Sequence, residues 1–92
     1  MASDKMVESI LKDYKKNRLS DGLKKETEFL VGCIISDKSD GGAVIRSLYL
    51  DGRSFRETAR KMYLSRGAVE YNKKKAIREY AKRLEEKFYR SC

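Results

Sequence analysis

The stretch Ser54–Ile77, SFRETARKMYLSRGAVEYNKKKAI, decides the fold because it contains two helix starts eleven residues apart. Ser54 and Glu57 make a capping box, in which the serine hydroxyl accepts from a backbone N–H and the carboxylate reaches back. Ser65 supplies a second N-cap. The helical spacing breaks between these starts, at Tyr63-Leu64. The sequence therefore predicts a short helix, a tight turn and a longer helix, the layout of a helix–turn–helix unit.

Inward positions recur at helical spacing on both sides of this turn. In the first helix of the unit they are Phe55, Thr58, Ala59 and Met62. In the second helix one apolar stripe continues through Val69, Ala76, Ile77, Tyr80, Leu84 and Phe88. The length of that stripe predicts a long second helix.

The rest of the chain lacks proline, and its glycines fall mostly where helices should stop. Three earlier helices are predicted, from Ser3 to about Asn17, from about Asp21 to Ser36, and after a loop at Asp37–Gly42. Their inward residues are Met6, Val7, Ile10, Leu11 and Tyr14, then Leu23, Thr27, Leu30, Val31, Ile34 and Ile35, then Val44, Ile45, Leu48 and Tyr49. Gly52 can take the left-handed conformation that ends the third helix. We predict an all-α fold of about five helices.

Length and charge point to a small binding protein. Ninety-two residues make one domain, with a helical pair at 1–36 and the helix–turn–helix unit at 42–90. Residues 1–50 hold nine Lys and Arg against eight Asp and Glu, a net +1, whereas residues 51–92 hold thirteen against six, a net +7. Such a charge predicts a polyanionic partner, although a chain with 39% charged residues would expose cations on any helix.

Composition argues against enzymes, metal proteins and membrane proteins. Zinc needs about four ligands at short spacings, and a chain with no histidine and two distant cysteines is not expected to provide them. Without histidine no ready general base is expected either, and no cofactor is predicted. Gly41-Gly42 lacks the strand and lysine of a phosphate loop. Cys33 is expected to be a small core residue and Cys92 a terminal thiol. No apolar run approaches the ~20 residues that span a bilayer, and the N-terminus is not a signal peptide, so we expect a cytoplasmic protein without membrane contact.

Residues 43–84 contain a series of spaced elements, namely Tyr49-Leu50-Asp51-Gly52, Ser54-Phe55-Arg56-Glu57, Ala59, Leu64-Ser65, Val69 and Ala76. In this order and spacing they resemble region 4, the C-terminal promoter-binding module of bacterial sigma factors. It implies a bacterial or phage regulator of transcription that binds double-stranded DNA, and RNA polymerase as a further partner. The chain has no room for the larger portion of a sigma factor. Two alternatives stay open: an adaptor that docks on RNA polymerase or a sigma factor, and a phage small-terminase protein of DNA packaging.

Three positions depart from the family pattern. Tyr63 occupies a turn position that usually takes glycine, so we expect either a reshaped turn or a tyrosine ring that packs well enough to offset the strain. Thr58 and Asn72 are polar at inward positions, and we expect them to hydrogen bond to each other across the helix crossing. Lys73 should extend along its helix towards solvent.

The second helix of the unit is expected to enter the major groove by its first turns. Residues expected to contact bases are Arg66, Ala68, Glu70 and Tyr71. Arg66 suits a guanine edge or a phosphate, Glu70 a cytosine amine and Ala68 a thymine methyl. Residues expected to contact phosphates are Ser54, Arg56, Arg60, Ser65, Lys74, Lys75 and Arg78. Tyr71 is expected to be the one tyrosine able to touch DNA. The apolar face of the first helix fits a cover for the core, and it fits equally well a homodimer interface formed by this helix or by the long C-terminal helix.

Overall fold

The computed structural model describes residues 3–16 and 21–89, which form five helices and no strand. The helices are α1 (Asp4–Lys15), α2 (Lys24–Ser36), α3 (Asp40–Ile45), α4 (Phe55–Met62) and α5 (Arg66–Leu84). A 3₁₀ turn at Asp21–Leu23 precedes α2, and π-helical turns at Arg46–Leu50 and Glu85–Tyr89 extend α3 and α5. The predicted all-α fold of five helices is confirmed.

Serine side chains start four of the five helices. The hydroxyls of Ser3, Ser39, Ser54 and Ser65 each accept a hydrogen bond from the backbone N–H three residues on, over 3.1 to 3.2 Å. Each bond satisfies one N–H that the helix itself leaves without an acceptor. The capping box is complete, because the Ser54 N–H also donates to the Glu57 carboxylate over 3.3 Å.

The loop predicted at Asp37–Gly42 is shorter than expected, because α3 already begins at Asp40. Ser39 caps this helix and donates from its hydroxyl to Asp37 Oδ1 over 2.6 Å. Gly41 and Gly42 are buried in its first turn. A Cβ on Gly41 would lie 3.0 Å from the Cβ of Ala76, so the glycine permits α3 to approach α5 closely instead of marking a loop.

The core contains residues from α1, α2, α3 and its π-helical extension, and α5, and α5 packs against each of the other four helices. Fully buried members include Leu11, Leu30, Val44, Val69 and Tyr80. Ile35, predicted to point inward, is 65% exposed. Leu30 and Ile34 lie four residues apart and define the buried stripe of α2, whereas Ile35 is about 100° further round the helix.

The first helix covers this core. Val7, Ile10 and Leu11 are buried, and α1 packs against α5 and against the π-helical turn Arg46–Leu50. This packing accounts for the apolar face of α1. Because these residues are buried in the core, this face is not available as a homodimer interface, and a homodimer through the long C-terminal helix stays a prediction.

Polar contacts connect distant parts of the chain. The Tyr80 hydroxyl donates to Asp37 Oδ2 over 2.8 Å and thereby ties α5 to the turn between α2 and α3. Burial, followed by this bond, raises the pKa of Tyr80 well above its usual value. Burial also raises the pKa of Asp37, but hydrogen bonds from Ser39 and Tyr80, with the charge of Arg83, outweigh it, so the pKa is lowered.

Candidate nucleic-acid interface

The turn between α4 and α5 keeps a left-handed residue although that residue is a tyrosine. Tyr63 has φ 56° and ψ 39°. Leu64 N–H donates to Ala59 O over 2.9 Å and Tyr63 N–H to Arg60 O over 3.4 Å, the pair of bonds of a Schellman motif. The Tyr63 ring is 96% exposed. Both alternatives from the sequence are therefore wrong: the turn is not reshaped, and the ring does not pack.

The predicted bond between Thr58 and Asn72 is also wrong. Thr58 is fully buried, and its hydroxyl lies 2.8 Å from the hydroxyl of buried Ser47. Asn72 donates from its side-chain amide to the carbonyl of Ala68, one turn back on its own helix, over 2.9 Å. Thr58 therefore joins α4 to the π-helical extension of α3. The side-chain amide of Asn72 has its hydrogen-bond acceptor within α5 itself.

The four residues predicted to contact bases all lie in the first two turns of α5. Arg66 and Glu70 are exposed, and Tyr71 is 65% exposed. Ala68 is half-buried, so its methyl is less accessible than the sequence suggested. A Cβ on the neighbouring Gly67 would meet no atom within 4 Å, which shows that the surface beside it is open.

The seven residues predicted to contact phosphates are all exposed, on α4, on α5 and at their N-caps. Ser54 and Ser65 accept backbone hydrogen bonds, so the hydrogen of each hydroxyl stays available to donate to a phosphate oxygen. Arg56 and Arg60 lie four residues apart, on one side of α4. Lys74, Lys75 and Arg78 extend the positive surface along α5.

In the described part of the chain, the cations of α4 and α5 form no ion pair within 4 Å. Helix α5 carries seven Lys and Arg against Glu70 and Glu79. Among residues 3–16 and 21–89, the salt bridge within 4 Å joins Arg53 to Asp51, over 3.5 Å, outside both α4 and α5. The cations of the helix–turn–helix unit are thus free to attract a polyanion.

Two residues of this surface, Tyr63 and Lys73, were not among the DNA contacts predicted from the sequence. Tyr63 is a second exposed tyrosine beside Tyr71, so the expectation that only Tyr71 could touch DNA is wrong. Lys73 is half-buried and holds its Nζ 5.3 Å from the centroid of the Phe55 ring and 6.0 Å from that of Tyr49. This cation–π arrangement keeps the ammonium beside α4, whereas the sequence analysis expected Lys73 to extend along its own helix towards solvent.

A basic groove adjoins the start of α4. Its cations are Lys12, Lys15 and Lys16 from the end of α1, Arg53 from the loop before α4, and Lys73. Lys15 and Lys16 follow Lys12 by three and four residues, so the three lysines lie close together at a helix C-terminus, where cations are favourable. That spacing was visible in the sequence. The sequence did not show that α1 ends beside Ser54 and Phe55.

Other kinds of site find no support in the described residues. No three His, Cys, Asp or Glu side chains there are grouped so that they could hold a metal ion. Cys33 is half-buried, and Cys92 lies outside the described residues. No described helix has the length and apolar character needed to cross a membrane. Comparisons with protein family models, curated proteins and solved structures gave no match.

Proposed function

We propose that this chain is a sequence-specific regulator of transcription that binds double-stranded DNA through α4, the turn and α5. One observation carries the proposal: an exposed, unpaired set of cations surrounds the first turns of a long helix that follows a three-residue turn. The major groove, about 12 Å wide, admits a helix about 10–12 Å across. A helix placed there presents its N-terminal residues to base edges.

In this arrangement the residues divide into two groups by role. Arg66, Glu70 and Tyr71 provide the side chains that discriminate between base pairs, with Ala68 as a weak apolar contact. Arg56 and Arg60 from α4, with Lys74, Lys75 and Arg78 from α5, hold the phosphates and fix the orientation of the protein. Ser54 and Ser65 add neutral donors at the two helix starts.

The resemblance of residues 43–84 to sigma factor region 4 supports a role in transcription and a bacterial or phage cytoplasm as the setting. It also supports a second candidate, docking on RNA polymerase. Ile35, 65% exposed, lines a groove with Leu50 and Met62. Arg46, Asp51 and Lys61 also line this groove, so it offers apolar surface beside charges of both signs, which suits a protein partner better than a phosphate backbone.

Selection of bound duplexes from a random pool at near-physiological salt tests the proposal. The unsubstituted protein should enrich a defined motif. Arg66→Ala should relax that motif at one position and weaken binding by about 1–3 kcal/mol, whereas Lys75→Ala should weaken all duplexes alike.

Lys25→Ala is the matched control, because it removes the same charge from an exposed position far from the start of α5. Its neighbour Glu26 accepts a hydrogen bond from Tyr89, at the opposite end of α5, over 3.1 Å. If the unsubstituted protein enriches no motif but binds RNA polymerase tightly, DNA recognition is wrong and docking on the polymerase is the better proposal.

A further inference from the structure

A groove between the end of α1 and the start of α4 brings cations from three parts of the chain together. Its volume is about 560 Å³, and Tyr49 and Phe55 are among its lining residues. Lys12, Lys15 and Lys16 are exposed and come from α1. Arg53 comes from the loop before α4, and Lys73 from α5. We call this feature the α1 groove.

In the described part of the chain, no nearby carboxylate pairs with the lysines of the α1 groove. Within the described residues no carboxylate lies within 4 Å of the four lysine amines, and Arg53 has only an exposed Asp51 at 3.5 Å. Like charges gathered in this way repel one another, and an anion placed among them removes that repulsion. Lys73 is additionally held over aromatic rings, so one of the cations is fixed in position before any ligand arrives.

The location of the groove favours DNA phosphate as the anion that it binds. Ser54, a predicted phosphate contact and the N-cap of α4, is part of the groove lining. Arg56 follows within the first turn of α4. A DNA strand that runs past the start of α4 would therefore meet the end of α1 next. Because lysine amines are point charges without directional pairing, they suit phosphodiester oxygens and carry no base preference.

We propose that the α1 groove binds phosphates of the duplex on the flank of the site contacted by α5. This inference rests on the proposed function and extends it to the first helix. Helix α1 thus has two faces with different tasks: the apolar face covers the core, and the lysines at its end hold DNA outside the recognised motif.

The salt dependence of duplex binding tests the α1 groove. The variant Lys12→Gln/Lys15→Gln/Lys16→Gln should reduce the slope of log K against log salt by about 0.9 for each phosphate that the variant no longer binds, hence about 2 to 3 in all. Between 50 and 200 mM salt, the fall in affinity would then be up to about 40-fold smaller than for the unsubstituted protein. The selected motif should stay the same, and phosphate ethylation should cease to interfere on one flank.

Lys24→Gln/Lys25→Gln/Lys87→Gln is the matched control, with the same change of net charge at exposed positions near the other end of α5. Its slope should stay close to that of the unsubstituted protein, and thermal unfolding checks that both triple variants are folded. Equal slopes for the α1 variant and the unsubstituted protein would overturn the α1 groove and leave the proposed function standing. A chain that binds no duplex at any salt concentration would overturn both.

Discussion

The left-handed backbone at Tyr63 is strained, and packing of its side chain does not offset that strain. A left-handed residue other than glycine costs about 1–2 kcal/mol, and the 96% exposed ring gains no packing in return. Tyr63→Gly should therefore raise the free energy of unfolding by about 0.5–1 kcal/mol, after the extra entropy of an unfolded glycine is subtracted. Urea unfolding, or a rise of a few degrees in Tm, measures the gain.

Gly52 provides the converse test, because its φ is 72° and a Cβ there would meet no atom within 4 Å. Gly52→Ala should lower the free energy of unfolding by about 1 kcal/mol through the backbone alone. Tyr63→Ala, which keeps the strain, should stay close to the unsubstituted protein. A decrease in stability for Tyr63→Gly would show that the exposed ring contributes a contact.

The sequence predicted the burial of Thr58 correctly but not its hydrogen-bond partner. Thr58 was expected inside and is fully buried, yet its partner is Ser47 and not Asn72. Helical spacing fixes which side of a helix faces inward, but the element that it faces depends on how helices cross. An asparagine also has a partner available one turn back on its own helix, which no spacing argument between helices takes into account.

Two glycines in neighbouring helices have opposite roles. Gly32 lies within α2, and a Cβ there would meet nothing within 4 Å. At Gly42, in the first turn of α3, a Cβ would lie 2.6 Å from Asp37 Cγ and 2.7 Å from Asp37 O. The first glycine therefore weakens its helix without a packing benefit, whereas the second permits α3 to start where it does.

Gly32→Ala should accordingly raise the free energy of unfolding by about 0.5–1 kcal/mol. Gly42→Ala should lower it by about 1–3 kcal/mol, because the backbone of Asp37 must move. Chemical denaturation of both variants beside the unsubstituted protein makes the comparison. Decreases of similar size at both positions would mean that helix propensity plays no part at Gly32.

The start of α3 shows why the sequence predicted some helix starts and missed another. Ser3, Ser54 and Ser65 were recognised as helix starts because an apolar stripe follows each of them. Ser39 caps a helix in the same way, but Asp40-Gly41-Gly42 has the composition of a loop. Gly41 is explained by the approach of α3 to α5, a contact between elements that is not encoded in the local sequence, whereas Gly42 is explained by the closeness of Asp37 in the preceding turn.

For the whole molecule, the separation of charge along the chain was visible from the sequence, whereas its distribution in space was not. The excess of cations in residues 51–92 predicted the exposed basic surface of α4 and α5. The lysines of α1 belong to a segment of nearly balanced charge and gave no such signal. Only the packing of α1 against α5 and the extension of α3 brings them beside Arg53 and Lys73.

The bond between Asp37 and Tyr80 joins residues 43 positions apart and makes the stability of the whole fold depend on pH. The pKa of Asp37 is lowered below its ordinary value of 3.8 in the folded protein, so the ionised carboxylate stabilises the fold above that pH. This contribution disappears as the pH falls through the folded pKa, where the protonated carboxyl accepts less strongly from Ser39 and Tyr80.

The variant Asp37→Asn has no carboxyl group to titrate at this position. The difference in unfolding free energy between the protein and Asp37→Asn should therefore shrink as the pH is lowered from above to below the ordinary value of 3.8, as urea titrations can measure. In a Tyr80→Phe background the same substitution should show a smaller change with pH, because one donor to the carboxylate is gone. A difference that stays constant over this range would mean that the folded and unfolded chains bind the Asp37 proton equally.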